Sequence, residues 1–201
     1  MTPIVVPPLP RVSLRTPRLI LRPWESGDRD EFVRVSQASA EFWRAWMPAT
    51  APDETLEQMF DRMLEVSLRG WTSGTQCRLL ATLGDGRIAG FFTLSEIVRG
   101  SFQSAYAGWR VSADVARQGL GTEGVNGLLD LAFAPPPVGL GLHRVQANVI
   151  PSNAPSLRVA EKCGFRREGY APRYLKIAAQ WQDHVMFAKT VEEHTFVYLS
   201  E

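Results

Sequence analysis

Ala116-Arg117-Gln118-Gly119-Leu120-Gly121-Thr122-Glu123-Gly124 is the stretch on which the reading of this chain turns. Its three glycines stand where a helical segment begins. Without side chains they let backbone N–H groups turn outward, and a helix N-terminus adds unpaired donors and the positive end of its dipole. Such an entrance suits a pyrophosphate, so the run predicts a phosphate-bearing ligand. The same letters satisfy the dinucleotide pattern G-x-G-x-x-G, and an ordinary tight turn before a helix would also use them. A dinucleotide site wants an acidic residue about 20 positions further on to hold a ribose hydroxyl. No Asp or Glu occurs from Leu131 through Ala160, and too little chain follows for a full dinucleotide sheet. That reading therefore ranks below the other two.

Working outward, the segments before the run are strand-like: Cys77 to Leu83, Arg87 to Glu96 and Ser104 to Val111, with Asp85-Gly86 as a hairpin turn between the first two. Arg18 to Trp24 reads as a short strand, followed by a helix capped by Asp28 and running to about Ser36. Asp53 to Leu68 carries Leu56, Met59, Phe60, Met63 and Leu64 at helical spacing, with Pro52 suited to its first turn. After the run come a helix to about Phe133, a Pro135-Pro136-Pro137 breaker and a strand from His143 to Ile150. Ser152 or Asn153 then caps a helix through Lys162 that Gly164 ends, Phe165 starts the next strand, and a last strand spans Gln182 to Ala188. Early helices, an antiparallel sheet and an embedded strand-helix-strand unit make an α+β (mixed α/β) domain over residues 11–190, with residues 1–10 and 191–201 loosely held.

Composition sets limits on function. With 201 residues, 45% hydrophobic content and a net charge of +1, the chain suits one domain with a sizeable core. Near-balanced charge argues against direct nucleic-acid binding or attachment to a membrane surface, and no apolar run reaches membrane-spanning length. Val5 to Pro10 is too short and Pro-rich for a secretory signal, which leaves the cytoplasm as the expected location. Cys77 and Cys163 stand alone and read as reduced core thiols. Histidines are not grouped with carboxylates or thiols, so no metal is expected.

Several stretches carry a family likeness: Leu14 to Leu19, Ile97 to Phe102, the glycine run, Asn153-Ala154-Pro155-Ser156 with Glu161 to Phe165, and Tyr174-Leu175 with Trp181 to Val185. In these the chain resembles the GCN5-related N-acetyltransferases (GNAT), and within them the RimJ/RimL-like enzymes that acetylate the N-terminal residue of ribosomal proteins. The likeness covers roughly Leu14 to Thr190. It implies a central, mostly antiparallel twisted sheet of six to seven strands flanked by helices, with a V-shaped splay that takes acetyl-CoA. Residues Arg117, Gln118, Gly119, Leu120, Gly121 and Thr122 would cradle the pyrophosphate, Trp109, Arg110 and Val111 would pair their backbone with the pantetheine arm, and Asn153 and Ser156 would lie beside the cofactor. A strand N–H near Val111 would serve the developing oxyanion.

Three departures from the family pattern bear on the chemistry. Ala116 replaces the usual Gln or Arg, Ala160 stands where many relatives place a Tyr acid, and Arg173 occupies the position of the RimL-type carboxylate. Ser156 is then the candidate acid for the leaving thiolate; its competing role is a first-turn serine satisfying a backbone group. Glu96 is the candidate base, directly or through water, against the plainer reading of a solvated strand-end carboxylate. Phe42, Trp43 and Trp46, beside Met47-Pro48, either wall the acceptor groove or pack in the core, and His143 and His184 read as structural. An α-amine with a pKa of about 7.7–8.0 is about a tenth neutral at pH 7, against about 0.04% for a lysine, so an enzyme with no obvious base favours chain termini. Expected partners are therefore acetyl-CoA and a protein N-terminus, with a small amine, or no catalysis at all, as alternatives, in a monomer or homodimer.

Overall fold

The computed structural model describes residues 12–47 and 53–199. In chain order the elements are β1 (Leu14–Arg15), β2 (Ile20–Pro23), α1 (Arg29–Trp43), α2 (Leu56–Ser73), β3 (Cys77–Thr82), β4 (Ile88–Val98), β5 (Ser104–Val111), α3 (Leu120–Phe133), β6 (Arg144–Val149), α4 (Ala154–Lys162), β7 (Arg166–Ile177) and β8 (Gln180–Thr190). The strands form one sheet in the order β1-β2-β3-β4-β5-β6-β8-β7, and only the β5–β6 pairing is parallel. The fold is the mixed α/β arrangement expected. The strand count is corrected from six or seven to eight, because Leu14–Arg15 adds a two-residue edge paired to β2.

Both early helices differ from their predicted bounds. α1 continues past Ser36 to Trp43 because Phe32, Val35, Ser36, Ser39 and Trp43 keep helical spacing on its buried side. Its serines are small where the helix approaches the chain after β5, and Ser39 Oγ accepts the Ala113 N–H at 3.0 Å. α2 starts at Leu56, where Thr55 and Gln58 cap each other's backbone, and stops at Gly74, whose φ of 70° suits a residue without a Cβ. Pro52 and Pro48 lie outside the described residues.

The sheet has a helix pair on each face. On one, α1 and α2 bury Trp24, Phe32, Phe60, Leu80, Ile88 and Phe91, with Trp24–Phe32 and Trp24–Phe91 ring centroids 5.5 and 5.3 Å apart. Each such ring contributes about 1.5–3 kcal/mol of burial. On the other face α3 presses Val125, Leu128 and Leu129 against Phe92, Ala147, Val149 and Phe187, and α4 adds Ala160. Gly124 makes the closest approach: a Cβ there would stand 2.1 Å from Phe92 Cζ. No helix among the described residues is long and apolar enough to cross a membrane.

The expectation of a loose tail after residue 190 is corrected for residues 191–199. Buried Asp130 on α3 accepts the N–H groups of Val197, Tyr198 and Leu199 and lies 2.7 Å from His194 Nε2. Four donors on one carboxylate fix that segment to the helix. Residues 1–10 and 200–201 lie outside the described residues.

Candidate functional site

Strands β5 and β6 pair only over Ser104–Tyr106 and Arg144–Gln146, then part. Beyond that point β5 stays bonded to β4, with the Ser112 N–H on the Ala89 carbonyl at 2.9 Å. Backbone groups alternate sides along a strand, so the N–H and C=O of Trp109 and Val111 face the gap. One of these is already taken, since Trp43 Nε1 donates to the Val111 carbonyl at 2.8 Å. An open strand edge is what a peptide-like ligand arm can pair with.

At its outer end the gap meets the start of α3. Gly119 caps the helix at φ 83°, and Gly121 is close-packed, its absent Cβ 3.4 Å from Val111 Cγ2 and Val159 Cγ2. Glu123, in the first turn, is buried and would oppose an anion there, but Arg18 Nε at 2.6 Å and Thr16 Oγ1 at 2.6 Å hold it. Burial pushes its carboxyl up; hydrogen bonds from Thr16 and Arg18 outweigh this and leave it below the ordinary value. Arg18 also donates to the Gln118 carbonyl at 2.8 Å, bracing the loop from behind.

The resulting cleft encloses about 680 Å³, within the range of small-molecule sites. It brings together most of the residues expected from sequence: Trp109, Arg110, Val111, Arg117, Gly119, Leu120, Gly121, Thr122, Asn153 and Ser156 all line it. Asn153 caps α4 by accepting the Ser156 N–H at 3.2 Å. The structure gives the Ser156 hydroxyl no protein partner among the described residues. Gln118 is not on the lining; its carbonyl is turned to Arg18. Arg158 and Lys162, one helical turn apart on α4, add positive charge to the wall and were missed. Their i, i+4 spacing behind Asn153 was the available signal.

Glu96 is not brought to the cleft. β4 runs antiparallel to β5, so its far end lies beside Ser104–Tyr106, whereas the gap opens toward Val111. There Glu96 is exposed in an irregular stretch, at φ 50°. Arg173, at the family's carboxylate position, is exposed too, and its N–H donates to Asp183 at 2.7 Å.

Register assigns the remaining lining residues to a face. Phe91 stands opposite Arg110, Tyr106 opposite Gln146, and Asn148 opposite Met186, so Arg110, Asn148 and His184 project on the α1–α2 side. Phe42, Trp43, Trp46 and Met47 line the cleft on that side, and Trp43 is at the same time part of the core, packed on Phe91. Arg110 lies over the rings of Trp43 and Phe91 at 4.7 and 4.1 Å. Burial, then the neighbouring Arg78, lowers its pKa to about 10. Asn148 donates to Tyr174 Oη at 3.0 Å, while its own Oδ1 is buried without a partner. Among the described residues no Asp or Glu lines the cleft.

Sheet and cleft together present an open strand edge that runs up to a glycine-rich helix entrance, the architecture of a protein that takes an extended, phosphate-bearing ligand. Residues 18–166 match the family model described as an acetyltransferase (GNAT) domain. The chain belongs to this GNAT acetyltransferase family. It is 32% identical to the probable N-acetyltransferase YjcK of Bacillus subtilis (strain 168) over 87% of this chain and 95% of the relative. With the [ribosomal protein uS5]-alanine N-acetyltransferase of Escherichia coli (strain K12) it shares 27% identity over 93% of this chain and 95% of that one. The structure of Mycobacterium smegmatis RimJ in complex with CoA-disulfide superposes with a TM-score of 0.81 at 28% identity, covering 90% of this chain and 87% of RimJ.

Proposed function

We propose that this protein moves the acetyl group of acetyl-CoA to an α-amino group at the start of a protein chain, a ribosomal protein being the acceptor named for its Escherichia coli relative. The carrying observation is a cleft with no carboxylate on its lining among the described residues, cationic and amide-rich at one end and aromatic at the other.

The residues present fit acetyl-CoA. Gly119 to Thr122 offer helix-entrance N–H groups to the diphosphate, and Arg117, Arg158 and Lys162 supply the countercharge. The Trp109 and Val111 edge pairs with the amides of the pantetheine arm. Bound there, the thioester supplies an activated acyl carbon. Ser156 gives a hydrogen bond or proton to the departing sulfur, and a backbone N–H on the β5 edge stabilises charge on the carbonyl oxygen.

On the acceptor side, the absence of acidic lining among the described residues and the presence of Arg110 disfavour a polycation. A peptide end needs apolar contacts instead, and the rim provides Phe42 and Leu175, both more than 40% exposed. The test is a panel of peptides differing in their first residue, each incubated with acetyl-CoA, with a terminally blocked lysine peptide and a polyamine as controls. Mass spectrometry should find acetyl on free α-amines and little on the controls. Acetylated polyamine with unmodified peptides overturns the proposal.

A further inference from the structure

We infer that His184 is the catalytic base, taking a proton from the acceptor ammonium at its Nε2. The inference rests on the cleft being the acetyl-transfer site, but holds for any amine acceptor. Of the titratable side chains that line the cleft among the described residues, Arg110, Arg117, Arg158 and Lys162 are bases that carry their proton, and His184 alone can accept one. Its side chain is 3% exposed yet lines the cleft, and it stands on the aromatic-roofed face with Asn148. Nδ1 lies 3.1 Å from the Gln182 carbonyl, which can only accept, so Nδ1 carries the hydrogen and Nε2 keeps the lone pair. No described residue bonds Nε2.

The surroundings keep the ring in its basic form. Burial lowers its pKa from the ordinary value, and the Gln182 carbonyl and the Asp183 carboxylate offset this only in part. Asp183 is itself engaged by the Tyr170 hydroxyl at 2.5 Å and the Arg173 N–H. From β7 the Tyr174 ring lies 5.4 Å away, and burial holds that phenol protonated. β6 contributes neutral Asn148, and from β5 Arg110 lines the same cleft.

The step balances as follows. One ammonium proton passes to Nε2 and on to solvent. The freed nitrogen lone pair forms the N–C bond to the acetyl carbon as the C–S bond breaks with its electron pair on sulfur. Ser156 gives its hydroxyl proton to the sulfur, which leaves as the thiol, and the second nitrogen proton replaces it on the serine oxygen by way of solvent.

An enzyme with this base binds the ammonium form, so kcat/KM for the acceptor should be level across the window that lies above the lowered His184 pKa and below the amine pKa, which takes in about pH 6.5 to 8. His184→Gln, and His184→Asn, which retains a donor toward the Gln182 carbonyl, must wait for amine already neutral in solution. Their kcat/KM should climb about tenfold per pH unit over that window, kcat at pH 7 should fall about 10²-fold, and added imidazole should restore part of it in His184→Ala. The acceptor used is whichever amine the unaltered enzyme acetylates, so failure of peptide acetylation alone sinks only the proposed acceptor. A tenfold-per-unit climb in the unaltered enzyme overturns the inference without any variant. So does a loss that is uniform across pH and not rescued, or activity within about twofold of the parent.

Discussion

Trp43 and Val111 are joined by an indole-to-carbonyl hydrogen bond of 2.8 Å, which fastens the last turn of α1 to the open edge of β5. Through this bond the roof over the acceptor side and the strand proposed to hold the donor are one unit. Trp43→Phe keeps a ring against Phe91 and Arg110 but removes the donor. Because the freed carbonyl faces the cleft and can reach water, the cost should be that of one net hydrogen bond, about 1 kcal/mol, or a melting midpoint about 2–4 °C lower. Acceptor KM should rise while acetyl-CoA binding holds, as checked by calorimetry beside steady-state kinetics.

Two glycines of the run separate packing from binding. Gly124→Ala would put a Cβ 2.1 Å from Phe92, a fully buried ring with no room to yield, so stability should fall by about 1–3 kcal/mol despite the better helix former. At Gly121 the same methyl meets Val111 and Val159 at an ordinary 3.4 Å, so Gly121→Ala should fold normally. Gly121→Leu has no such allowance and stands on the cleft wall, so CoA binding should be lost. Urea unfolding and CoA titration of the three variants test both statements.

Much of this was legible because it is local. The hairpin turn at Asp85-Gly86, the Asn153 cap and the glycine entrance are each set by a few neighbouring residues, and each formed where expected. What was misread depends on distant pairing. Glu96 looked like a strand end near the acceptor, but strand direction places it at the closed end of the β5–β6 pair. The place of His184 on the cleft lining also depends on such pairing, because nothing in the sequence tells that β8 inserts between β6 and β7. Asp130 and His194 meet across more than sixty residues of chain, which no helical or strand period reveals.

That last pair gives a pH dependence. Burial raises the Asp130 carboxyl, but bonds from His194 and the N–H groups of Tyr198, Val197 and Leu199 outweigh it, so its folded pKa lies below the ordinary value. A depressed carboxyl stabilises the fold above its unfolded pKa of about 3.9, and that contribution disappears as pH falls through the folded value. Asp130→Asn should therefore melt well below the parent at pH 7, by about 3 kcal/mol, with the gap narrowing below about pH 4. Melting curves from pH 7 to 3 show whether the two converge.

Ser156 offers the sharpest separation of chemistry from binding. Its N–H belongs to the Asn153 cap and would persist in any variant, while its hydroxyl has no protein partner among the described residues and lies on the cleft wall. Ser156→Ala therefore leaves α4 intact and removes only the group proposed to meet the departing sulfur. A proton donor to a leaving group acts in the transition state, so kcat should fall about 10–100-fold with little change in the dissociation constant for acetyl-CoA. A donor ester with a better leaving thiol needs less help, and the gap between variant and parent should shrink with it. If acetyl-CoA affinity falls and kcat does not, the hydroxyl holds the ligand and has no part in the chemistry.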